Sequence, residues 1–207
     1  MHAPQFIVNA IYSNDGNMVE VLQGYLEEPF LMVGAEIFTY AKLGSVIGHE
    51  IMHALDSDGS NFLVNETNLL SIESAQKYVG IQECLINQMN NLTFKDIKGD
   101  GLFTLDENFA DVFGLKLSYR ATKRLVEHGK IHVKFAGITD EPWERVFFSA
   151  FAQRSCTILA REMSQIQDVH PKNPLRTMSA LMNNREFSKA FDCVPQSRMN
   201  PTTKCDI

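Results

Sequence analysis

Apolar positions change their spacing early in the chain, and the change predicts the architecture. Residues 6–12, FIVNAIY, form a short β-prone run. Ser13-Asn14-Asp15-Gly16 carries turn chemistry, and Met18–Leu22 reads as the strand returning from it. Beyond this hairpin the pattern is helical. An apolar helix spans 41–55. Thr67 is placed to cap a second helix that runs to about Asn90, with Leu70, Ala75, Val79 and Leu85 along it. Gly99-Asp100-Gly101 breaks the chain. A long helix covers 105–128 and stops at Gly129, a residue suited to the turn past a helix end. Asp140 and Pro142 open another, to about Glu162. Pro171 and Pro174 mark a loop, followed by short helices near 175–183 and 185–191 and an irregular tail. No repeat or linker interrupts the pattern, so residues 1–207 read as one mainly α domain with a small N-terminal β-hairpin and sheet edge.

Composition narrows the function classes. Hydrophobic residues are 44% and charged residues 21% of the chain, ordinary for a globular protein. A formal net charge of −6 argues against nucleic acid as a partner, because phosphate binding needs a basic patch. No apolar run reaches the roughly 18–20 residues that span a bilayer. The start MHAPQFIVNA lacks the basic head and long apolar stretch of a signal peptide, so no targeting segment is expected within it. Cysteines stand at 84, 156, 193 and 205, none in a C-x-x-C pair, which argues against a cysteine zinc site and leaves three pairings open. Sequons at Asn65 and Asn91, with these dispersed cysteines, tilt the reading towards an extracellular setting.

The chemistry concentrates in His49-Glu50-Ile51-Met52-His53, an H-E-x-x-H pattern. Positions i and i+4 share one helix face, so both imidazoles can reach one metal ion, with Glu50 beside them as a general base. Val46, Ile47 and Ile51 mark the helix as buried, as a rigid metal platform requires. A catalytic zinc site needs a third protein ligand from another element. Glu107 is the best candidate. Asp111, one turn later, shares its face and could orient a ligand imidazole. Spacing alone weighs this evenly against a solvated acidic face at a helix N-terminus, where acids are favoured.

Taken together, VIGHEIMHALDSDGSNF, ENFADVFGLKLSYRA, FFSAFAQRSC and DVHP, with the opening VNAIYS and the late EFSKAFDC and MNPTTKC, resemble the neprilysin family of zinc metallopeptidases, which includes the endothelin-converting enzymes. The resemblance covers essentially the whole chain. It implies a largely α-helical, thermolysin-like (gluzincin) catalytic lobe holding one zinc ion. It implies His49, His53 and Glu107 as zinc ligands, Glu50 as catalytic base, and Asp111 and Asp56 as the carboxylates behind the ligand histidines. It further implies His170 as the group that stabilises the oxyanion, Arg176 as a substrate-binding arginine, and Asn9 and Ala10 as an edge strand that hydrogen-bonds the peptide backbone. Tyr25, Phe30 and Val46 match apolar positions of the pocket for the side chain after the scissile bond. A Cys84–Cys205 bridge is implied as well. Cys156 and Cys193 are left as thiols, since their family partners lie in an N-terminal roofing lobe that these 207 residues do not include.

The chain also departs from the family. Ser45, Arg154 and Ser155 stand at pocket positions that are usually apolar, the tryptophan pair after the zinc helix is absent, and 63–83 diverges. The expected function is that of a zinc-dependent endopeptidase that hydrolyses short peptides on the amino side of apolar residues, by Glu50-assisted attack of a zinc-held water. The alternative is a non-catalytic zinc-, peptide- or protein-binding relative, inactive without the roofing lobe.

Overall fold

The computed structural model describes residues 6–59, 71–133, 141–156 and 168–205. Strand β1 (Ala10–Ser13) pairs antiparallel with β2 (Met18–Val21), Ala10 lying opposite Val21 and Ser13 opposite Met18. The strand starts later than the expected 6–12 because β2 ends opposite Ala10; just beyond the paired residues, Leu22 N–H still donates to Asn9 C=O at 3.1 Å. The turn closes with Asn17 N–H donating to Asn14 C=O at 3.2 Å, and Asn17 takes a positive φ of 42°.

The motif helix begins earlier than expected. Helix α1 (Glu36–Thr39) runs through a π turn (Tyr40–Gly44) into α2 (Ser45–His53). A π turn disturbs the backbone ladder, and the Ser118 hydroxyl donates to the Tyr40 carbonyl at 2.6 Å. Helix α3 (Ile72–Asn90) is capped by Ser71, whose hydroxyl accepts from Ser74 N–H at 3.2 Å. Thr67, the expected cap, lies outside the described residues. A two-residue hairpin unforeseen in the sequence, β3 (Thr93–Phe94) with β4 (Ile97–Lys98), precedes the glycine break.

Helix α4 (Leu105–Glu127) is the central element. It ends as expected, with Gly129 at φ 63° and its N–H donating to Val126 C=O at 2.9 Å. Helix α5 (Trp143–Arg154) stops at Ser155 rather than near Glu162; Asp140 and residues 157–162 lie outside the described residues. Helices α6 (Asn173–Met182) and α7 (Arg185–Ala190) follow, the latter capped by Asn184, which accepts from Glu186 and Phe187 N–H groups.

Helix α4 divides the core. On one side Leu115 and Tyr119 pack with Ile37 and Ala41 and with Phe147, Phe148 and Phe151 of α5. On another, Phe109, Val112 and Phe113 meet Ile81 and Leu85 of α3, beside a Cys84–Cys205 disulfide with Cα atoms 5.6 Å apart. The bridge closes a loop of 121 residues, worth about 5 kcal/mol in a chain-entropy account. Cys156 and Cys193 are unbridged. No described helix is long and apolar enough to cross a membrane.

Candidate active site

Helices α2 and α4 cross where each has a glycine. A Cβ on Gly48 would lie 2.6 Å from the Gly114 carbonyl oxygen, and one on Gly114 would lie 2.5 Å from His49 N. Contacts that short exclude any side chain, so the backbones meet directly. The crossing carries His49 and His53 of α2 to Glu107 and Asp111 of α4. Sequence reasoning passed over both glycines. The available signal was their placement inside helices, where glycine costs about 1 kcal/mol relative to alanine and so asks for a packing reason.

The ligand-type atoms converge. His53 Nε2 is 3.1 Å from His49 Nε2, and Glu107 Oε2 is 3.2 Å from His49 Nε2. Glu107 Oε1 is 3.8 Å from His53 Nε2, and one donor atom from each of the three residues falls within 4.8 Å of the others. Ligands about 2.0–2.1 Å from a tetrahedral zinc ion stand about 3.3 Å apart, so the set fits that ion. The electrostatics agree. Burial works against a charged His49, yet Asp111 and Glu107 outweigh it and push the ring up to about 9. A site that draws a proton this firmly onto a buried imidazole is short of a positive charge.

Both imidazoles are held from behind. His49 Nδ1 lies 3.0 Å from Asp111 Oδ1, and His53 Nδ1 lies 2.6 Å from Asp56 Oδ2. Asp56 in turn accepts from Gly59 N–H at 2.8 Å. Asp111, 3% exposed, faces the interior, which removes the solvated-face alternative for this helix end. Arg176 donates to Asp111 through Nε at 2.6 Å and Nη2 at 2.7 Å. Burial alone would raise the Asp111 carboxyl, but Arg176 and His49 hold it far below the usual carboxylate range. Arg176, expected as a substrate ligand, thus spends two donors on Asp111; among the described residues its Nη1 has no partner.

His49, His53, Asp56, Glu107 and Arg176 line a cavity of about 560 Å³, with Asp111 behind them. Glu50 stands in its wall, its carboxyl raised by burial against the lowering effect of His49 and His53. His170 Nε2 is 3.3 Å from Glu107 Oε1, while its Nδ1 lies 2.9 Å from Asp168 Oδ1. Asp168, two residues before His170, escaped sequence reasoning. Asn9 and Ala10 of the hairpin, Val46, and the edge-to-face pair Tyr25 and Phe30, with centroids 4.9 Å apart, line the same cavity. Arg154 and Ser155 line the same cavity. Ser45 is buried and accepts from Arg154 Nη1 at 3.2 Å.

An H-E-x-x-H helix joined to a carboxylate from a second helix, over a cleft edged by a strand, is the arrangement of zinc metallopeptidases. The chain belongs to peptidase family M13, whose pattern matches residues 9–207. It is 33% identical to neprilysin-21 of Caenorhabditis elegans and to human endothelin-converting enzyme 1, and 34% identical to human neprilysin, in each case over 97% of this chain. It spans only 27–28% of the length of those relatives. Among solved structures, a Mycobacterium tuberculosis zinc metalloprotease, ZMP1, in complex with an inhibitor superposes with a TM-score of 0.86 at 22% identity, covering 100% of this chain and 33% of that one. A Haemonchus galactose-containing glycoprotein complex gives 0.81 at 24% identity, over 96% and 32%. At those identities the likeness is one of fold.

Proposed function

We propose that residues 1–207 act as one thermolysin-like catalytic lobe of a zinc-dependent endopeptidase that cleaves short peptides. The observation that carries this is the convergence of His49, His53 and Glu107 beside Glu50 in one cavity. One zinc ion per chain, held by those three side chains, supplies a Lewis acid that polarises a carbonyl and acidifies water. Asp111 and Asp56 fix the two imidazoles so that their Nε2 atoms face inwards. Glu50 takes the proton from the attacking water and returns it to the leaving amine; a carboxyl raised by burial suits both transfers. His170, held through Nδ1 by Asp168, has its other nitrogen beside Glu107 in this structure, and with Glu107 on the metal that nitrogen would serve the negative charge that develops on the carbonyl oxygen. Arg176 offers Nη1 to a substrate oxygen. An extended peptide adds to the hairpin along β1, where Asn9 and Ala10 line the cavity. Val46, Phe30 and Tyr25 support an apolar side chain on the amino-group side of the cut bond. The disulfide supports an extracellular setting.

The test is hydrolysis of a fluorogenic peptide library by the purified chain, with and without a zinc chelator, beside Glu50→Gln. Cleavage that chelation abolishes and that falls about 10²–10⁴-fold in the variant establishes the reading. Stoichiometric zinc binding without cleavage would replace it with a non-catalytic binder of zinc, peptide or protein.

A further inference from the structure

Among the described residues, the cavity holds one cationic side chain that the proposed chemistry does not use. Arg154 ends α5, and the carbonyl end of a helix favours a cation there. Its guanidinium, however, reaches the cavity wall. It donates to Ser45 Oγ at 3.2 Å and stacks over Phe151 at 5.1 Å from the ring centroid. Both partners are neutral. Of the carboxylates in and behind the cavity wall, Asp111 pairs with Arg176, Glu107 with His49 and His170, and Asp56 with His53, while Asp111 and Glu50 act on Arg154 only through a longer-range attraction. Among the described residues no carboxylate lies within ion-pair distance of Arg154, and burial holds its guanidinium below the usual range.

A guanidinium carries five donors in a fork that matches a carboxylate, and among the described residues only one of them has a hydrogen-bond acceptor. An unpaired cation in a partly desolvated wall is costly unless an anion arrives. Ser45, whose hydroxyl donates back to the Ala41 carbonyl at 2.7 Å, fixes the head group without neutralising it. Val46, Phe30 and Tyr25 line the same cavity with apolar surface. An occupant that satisfies both has an apolar stem and an anionic end.

Resting on the peptidase reading, we propose that Arg154 and Ser45 form an anion-accepting subsite, so that the preferred peptide places a carboxylate next to the cut bond rather than a purely apolar group. Two sources share this chemistry: a glutamate-type side chain, and the C-terminal carboxylate of a short peptide.

The experiment compares kcat/KM of the full zinc-loaded chain on otherwise identical peptides carrying Glu, Gln or Leu on either side of the cut bond, each with a free or an amidated C-terminus. The Glu peptide is expected to exceed its Gln isostere by about 10–100-fold. A preference that survives amidation identifies the side chain as the source, and one confined to free ends identifies the C-terminal carboxylate. Arg154→Met should bring the preference close to unity, and Arg154→Lys, which keeps the charge but not the fork, should retain part of it. Equal use of Glu and Gln with equal use of free and amidated ends by the unmodified chain overturns the proposal without any variant. So does a preference unchanged in Arg154→Met or Arg154→Lys. If the chain cleaves nothing, the peptidase reading fails separately. Fluorescence anisotropy with labelled Glu and Gln peptides, free and amidated, on zinc-loaded Glu50→Gln then decides, because tighter binding of the anionic member of a pair supports the subsite and equal binding refutes it.

Discussion

Two parts of the cavity lining are built differently. Around the histidines, His49, His53, Glu107, Asp111 and Arg176 each contact at least two polar partners at 2.6–3.8 Å, and the first four are mounted on two helices pressed together at Gly48 and Gly114. Elsewhere in the lining, Arg154 has a single hydrogen bond among the described residues, and Asn9 and Phe30 are each held by a backbone bond, Leu22 N–H to Asn9 C=O at 3.1 Å and Phe30 N–H to Glu27 C=O at 3.0 Å. The contrast has a physical reason. A metal ion tolerates little error in ligand position, so its wall must be over-determined. A peptide subsite needs only a surface of the right polarity, so its wall can change chemistry without disturbing the fold. That is where Ser45, Arg154 and Ser155 depart from an apolar pocket.

The comparison can be broken most severely at Asp111. Asp111→Ala leaves Arg176 without its main partner and His49 without support; a loss of about 3–5 kcal/mol in denaturant unfolding is expected, with zinc affinity reduced about 10–100-fold by chelator competition. Opening the bridge behind α3 comes next. Cys84→Ser with Cys205→Ser should cost about 2–5 kcal/mol of stability while leaving the metal residues themselves intact, so zinc should still bind to the folded fraction. Gly114→Ala attacks the crossing itself: its Cβ would meet His49 N at 2.5 Å, and a net loss of about 1–3 kcal/mol with weakened zinc binding is expected. Gly80→Ala sharpens the contrast from outside. Gly80 lies on the exposed face of α3 with nothing within 4 Å of an added Cβ, so thermal unfolding should show a gain of about 0.5–1 kcal/mol. A Gly114→Ala chain as stable as Gly80→Ala would mean that the close crossing does not position the metal residues.

Much of the helical framework was legible because its signals are local. Gly129 ends α4 by its own conformational freedom, and the i, i+4 spacing of His49 and His53 puts them on one face whatever surrounds them. Boundaries that depend on partners were not legible. The strand starts at Ala10 because β2 stops at Val21. The motif helix begins at Glu36, through a π turn whose Tyr40 carbonyl is met by Ser118, 78 residues away. The hairpin at 93–98 is too short for a periodic pattern to register.

The sequence by itself determined that a buried helix would present two imidazoles and a carboxylate together, since helical periodicity follows from the backbone. Which second carboxylate joins them was decided by tertiary structure, through a helix crossing that only two distant glycines permit. The same holds for Arg176, which meets Asp111 across 65 residues, and for Arg154, which meets Ser45 across 109. Such pairings depend on how elements pack, and no local spacing encodes them.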